Sequence, residues 1–114
     1  MAIEGWGATG SSTANAAQTV TKAAPGYGRH YVQSFEVAIT GASAGADITA
    51  ILKDGTTALW TLVIGSGSPT GFTIEKDFGA APLACSSLTA VNVAVIAGGA
   101  SVVSVANVHG YTGT

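Results

Sequence analysis

Charge is the scarcest commodity in this sequence. Asp, Glu, Lys and Arg make up 9% of its 114 residues, against about 25% in an ordinary soluble domain. A domain of this length has a large surface for its volume, and here Ala, Gly, Ser and Thr must cover most of it, which protects poorly against association. The charges are also scattered: four basic and six acidic residues give a net charge of −2. Arg29 and His30 form the one adjacent basic-type pair. A nucleic-acid binder displaces phosphate counterions with clustered Lys and Arg, so no nucleic-acid partner is expected. The single cysteine, Cys85, excludes an intrachain disulfide and reads as a small buried hydrophobe. No run approaches the ~20 apolar residues of a membrane helix. Met1-Ala2-Ile3-Glu4 has neither the basic nor the continuous apolar region of a secretory signal. No membrane partner is expected, and folding in a cytoplasm is the simplest reading.

Reactive constellations are equally sparse. His30 and His109 stand near strand ends, do not have zinc-motif spacing, and read as ordinary, partly exposed histidines. Cys85 has no local motif that would pair it with His109 as a nucleophile. Asp54 belongs to a turn. Glu75 and Asp77 share one face of a strand end without a calcium-loop pattern, and read as solvated. Gly5, Gly7 and Gly10 match a dinucleotide fingerprint by letter, but no strand precedes them. No catalytic residue, metal ligand or cofactor is expected.

What the sequence does have is alternation. From Arg29 onward, Tyr31, Phe35, Val37 and Ile39 alternate with Val32, Ser34, Glu36, Ala38 and Thr40, a strand with one face to a core. Ile48, Ala50 and Leu52 begin a second strand. Asp54-Gly55 is a tight-turn signal, and Trp60, Leu62 and Ile64 supply the core face of the returning strand. Phe72 and Ile74 mark a short fourth strand. Val91, Val93 and Val95 mark a fifth, followed by Gly98-Gly99, read as another hairpin turn. The last strand carries either Val103 and Val105, or Val102, Ser104, Ala106 and Val108, on its core face. About six strands bounded by Gly, Pro and Asp turns predict an all-β antiparallel β-sandwich of jelly-roll type over residues 29–114. Residues 1–28, rich in Ala, Thr, Ser and Gly, predict an extended N-terminal arm with one short strand around Gln18 to Lys22. Tyr27, Tyr31 and Tyr111 fall near strand ends, where a ligand or interface contact is conceivable.

The stretches RHYVQSFEVAITG, ADITAILKDGTTALWTLVIG and AVNVAVIAGGASVVSVANVHGYTG resemble small virion proteins of tailed bacteriophages. The shared features are an aromatic first strand, an LKDG…LW hairpin, and a closing hairpin around Ala-Gly-Gly that ends in His-Gly-Tyr. The resemblance spans residues 29–113. It implies a β-sandwich or jelly roll at the capsid surface of a virion assembled in the host cytoplasm. Its expected role is capsid decoration or cement: a symmetric homodimer or homotrimer seated between capsomers on the major capsid protein. Ile3, Trp6 and Tyr27 are the expected assembly contacts. The alternative it leaves open is a head or tail fibre component, or a module that recognises host glycans.

Overall fold

The computed structural model describes residues 3–114. It contains nine strands: β1 (Glu4–Ser11), β2 (Gln18–Lys22), β3 (Arg29–Thr40), β4 (Ile48–Asp54), β5 (Thr57–Ile64), β6 (Thr73–Asp77), β7 (Leu83–Ala84), β8 (Val91–Val95) and β9 (Val103–Gly113). They form two antiparallel sheets. The first runs β1-β9-β3-β6, with β7 also on β3; the second runs β2-β8-β4-β5. If β6 and β7 are taken as one interrupted strand, the pairs nest: first with last, second with next to last, inward to the β4–β5 hairpin. That nesting, divided between two facing sheets, is the jelly-roll order.

Between the sheets lies one apolar layer. Val32, Phe35, Val37, Ile39, Ala106 and Val108 come from the first sheet, and Val20, Ile48, Leu52, Ile64 and the three valines of β8 from the second. The period-2 alternation of β4, β8 and β9 is that expected of strands buried on one face. On β9 it selects Ser104, Ala106 and Val108 as the inward set, continuing from Val102 just before the strand.

Four expectations change. Of the expected arm, residues 3–28 are described; they are extended and include the expected short strand Gln18–Lys22, but they are no separate arm. β1 pairs with β9 along its whole length, and β2 pairs with β8. Each therefore caps one edge of a sheet. Alternation was a weak signal there because Gly5, Gly7 and Gly10 occupy positions that would otherwise show it.

Tyr31 was expected on the core face with Phe35. A β-bulge at Gln33 shifts the β3–β9 register between Val32 and Ser34. The extra residue inverts the alternation, so His30 and Val32 face inward before it and Phe35, Val37 and Ile39 after it. Tyr31 is turned outward and stacks on Tyr111, with ring centroids 4.8 Å apart.

Gly98-Gly99 is not a hairpin turn, because β8 and β9 lie in different sheets. The glycines allow close approach instead. A Cβ on Gly98 would sit 2.6 Å from Ile48 Cδ1, and the Gly98 carbonyl accepts a hydrogen bond from Gly45 N at 2.9 Å. The Asp54-Gly55 signal does make its hairpin. Gly55 takes a φ of +61° at the first position of a two-residue loop, the place a II′ turn reserves for glycine.

Trp60, expected in the core, lies in register with Leu52 on the inner face but at the sheet edge, and is 41% exposed. There it meets Phe78 edge-on at 5.6 Å, and Lys76 Nζ lies 4.8 Å from its ring. The opposite seam of the sandwich is closed in the same way. Trp6 packs against the core, with Lys22 Nζ 5.9 Å from its ring. Each open side thus ends in a tryptophan under a lysine, a contact worth about 0.5–1 kcal/mol at an exposed site.

Candidate assembly surface

The expected contact residues divide between two roles. Ile3 is 64% exposed at the start of β1. Tyr27, on the β2–β3 loop, is half-buried, and its hydroxyl donates to Glu4 Oε1 at 3.3 Å. Partial desolvation, then the adjacent Glu4 carboxylate, raises the Tyr27 pKa. Glu4 thus brings Ile3 and Tyr27 to one end of the sandwich. Leu88 joins that end, with its N–H donating to the Gly28 carbonyl at 2.9 Å. Leu88 was not anticipated: it is 56% exposed and held at a φ of +55°. Trp6 does not share that surface. It sits directly opposite Gly110 of β9, points inward, and meets the His30 ring edge-on at 5.2 Å.

His30 is fully buried, not partly exposed as expected. Its Nε2–H donates to the Ala23 carbonyl at 2.7 Å, and Thr112 Oγ1–H donates to Nδ1 at 2.7 Å. The ring therefore ties the β2–β3 connection to β9, and both nitrogens are in use. His109 is exposed, and its Nδ1 and Ser34 Oγ share a hydrogen bond at 2.9 Å. Cys85 is buried, and burial, then the nearby Asp54 carboxylate, pushes its thiol up to about 11. Asp54 does more than start a turn, since its Oδ2 accepts from both N and Oγ of Ser86 at 2.9 and 2.7 Å. Asp77 Oδ1 accepts from Gly79 N, and Glu75 lies directly opposite Glu36.

The outer faces of the two sheets differ in chemistry. On the first, the cross-strand partners Glu36 and Glu75, with Asp77 one row on, bring three carboxylates together beside His109 and Asn107. On the second, Thr19, Ala94, Ile51 and Thr61 form one row and Thr49 and Val63 part of the next, with Ile96 beside them. Lys53 is the charged residue of that face. Val63 and Ile96 are 48% and 47% exposed, and a shallow hollow of about 400 Å³ lies among Ala17, Thr19, Ile51, Ala94 and Ile96. The face ends at β5, whose sequence TALWTLVI has no charged residue and no proline. Sequence alternation marked one side of β5 for the core; on its other side Val63 is apolar and exposed, whereas Leu59, at the bulge, packs against the core.

No family model matches the chain, and no curated protein matches it. Among solved structures, the chain is similar to the PRD1 vertex protein P5, with a TM-score of 0.53 and 12% identity over 94% of this chain and 96% of that one. A chain from the structure of tomato aspermy virus aligns over 93% of this chain and 76% of that one, at 9% identity and a TM-score of 0.45. The likeness to P5, at such low identity, speaks to the fold.

Proposed function

We propose that this chain is a structural virion protein, a decoration or cement subunit that binds the major capsid protein between capsomers as a symmetric dimer or trimer, without enzymatic activity or cofactor. The observation that carries the reading is a jelly roll with one outer face and one sheet edge nearly free of charge. Jelly rolls recur in viral capsid proteins, the fold neighbour P5 is by name a vertex protein, and residues 29–113 resemble small phage virion proteins. The mechanism is mechanical. Threonine and small apolar side chains give weak contacts, and repetition around a lattice multiplies them, because an oligomer that engages several subunits at once binds intramolecularly after its first contact. Closed symmetry would cover the poorly charged surface.

The test is the copy number of this chain in purified particles, by quantitative mass spectrometry against the major capsid protein. Copies in a fixed, lattice-like ratio are expected. Absence from the particle would refute the reading, and a few copies would favour a fibre or tail module. That second reading, glycan recognition, has one observation in its favour. Tyr31 and Tyr111 stack on the outer face in a row with Gly5 and Ala84, so small neighbours flank the pair where a sugar ring could stack. It predicts glycan binding that Tyr111→Ala abolishes.

A further inference from the structure

We infer that β5 is a self-pairing edge, where two copies of this chain join their second sheets antiparallel about a two-fold axis. This deepens the assembly reading and rests on it for its biological setting.

With β6 and β7 taken as one interrupted strand, the sandwich has four edge strands among the described residues, and three are guarded. β6 carries Glu75, Lys76 and Asp77 within five residues. β2 is five residues long and ends in Lys22. β1 begins with Glu4 and has glycine at positions 5, 7 and 10, which weakens a strand as a pairing template. β5 has eight residues, no charge, no proline and no glycine. Proteins protect exposed edges with charge, proline, bulges or a covering segment. On β5 the bulge opposite Leu52 and Lys53 lies toward one end and leaves Trp60–Ile64 regular. Among the described residues, the backbone of that stretch bonds to β4 alone, and the Lys76 and Phe78 side chains lie against the Trp60 ring at the seam without bonding the strand's free edge.

The occupant follows from the strand's own pattern. Directly opposed residues of an antiparallel pair share a face. With the axis at Leu62, Trp60 lies opposite Ile64 of the second copy on the inner face, and Thr61 lies opposite Val63 of the second copy on the outer face. Every pairing is apolar or threonine, and no like charges meet. The inner partner would cover the exposed part of Trp60, and the outer partner would cover Val63. An isologous contact needs such a self-complementary patch. The charges on β6 confine pairing to one sheet, so the contact is small. A single strand pair buries less than the ~1,200 Å² total of a stable interface, so the dimer should be weak alone and gain strength by repetition.

Sedimentation equilibrium on the purified full chain, from micromolar to millimolar, tests this. The wild type should associate reversibly to a dimer. The double variant Thr61→Lys/Val63→Lys sets lysine opposite lysine twice across the axis, and Thr61→Glu/Val63→Glu does the same with glutamate. Each should weaken association by at least about tenfold. The two variants mixed should dimerise again. Thr73→Lys, on the guarded edge, should change nothing. A wild type that stays monomeric at millimolar concentration overturns the inference, as does a lysine variant that associates like wild type or a mixture that fails to pair. Because no capsid is present, dimerisation of a chain absent from virions would sink the virion reading and leave this one standing.

Discussion

Gly110 is where sequence, register and packing meet most tightly, and replacing it with alanine should damage the fold severely. It lies in β9 between Trp6 of β1 and Val32 of β3, beside the bulge at Gln33. A Cβ there would drive into the Tyr31 carbonyl and come within 3.1 Å of Val32 Cα. Both obstacles are backbone in a paired central strand, so no rotamer relieves them. Overpacking in a core typically costs about 1–3 kcal/mol. With backbone on both sides, and Trp6 displaced as β9 shifts, the upper end or more is expected, about 3 kcal/mol. For a domain of this size that lowers Tm by about 12 °C. Gly5 is the control. Its added Cβ would meet nothing nearer than the Gly110 carbonyl at 4.0 Å, so Gly5→Ala should be neutral or stabilise by about 0.4–1 kcal/mol. Urea and thermal melts followed by circular dichroism read both. A Gly110→Ala protein within about 1 kcal/mol of wild type would refute the bulged β3–β9 register.

Three further outcomes follow from the same geometry. His30→Ala leaves Thr112 Oγ1 unpaired in the interior and removes the tie to the carbonyl of the exposed Ala23, and should cost about 1–3 kcal/mol for the buried hydroxyl left unpaired, read by urea denaturation. Cys85 should resist iodoacetamide at pH 8 in the folded protein and react once urea unfolds it. Its thiol, at about 11 folded against 9.0 unfolded, holds its proton longer in the native state, so its stabilising contribution is complete below about pH 9 and is lost toward pH 11, with Cys85→Ala removing that pH dependence. Deleting residues 1–24 should abolish cooperative unfolding, because it strips an edge strand from both sheets and removes Val20 and Trp6; a truncated protein that melts like the full chain would show that β1 and β2 are dispensable.

The sandwich was legible in the sequence wherever one residue in two was apolar without interruption. β4, β8 and the β4–β5 hairpin follow directly from Ile48, Ala50 and Leu52, from the β8 valines, and from Asp54-Gly55. Three things were hidden. A bulge adds one residue without any change of composition, so Tyr31 and Phe35 looked like neighbours on one face. Pairs of glycines serve either a turn or a close approach, and Gly98-Gly99 has the second use, visible only once Ile48 stands beside it. Glycine-rich β1 has too few side chains to alternate, so a strand of the sandwich resembled an arm. The candidate surface was legible in part. Low overall charge raises association as an expectation, and of its three expected contacts Ile3 and Tyr27 lie at one end while Trp6 points inward. The uncharged run of β5 was in plain view, but its importance depends on its being an edge, which is a property of strand order.

A reconstruction by electron cryo-microscopy, comparing particles that contain this chain with particles that lack it, tests the proposed structural virion role most directly. Difference density of jelly-roll size should recur at symmetry-related positions between capsomers, with the second sheet or its β5 edge turned toward a neighbour. Particles indistinguishable with and without the chain would contradict that role.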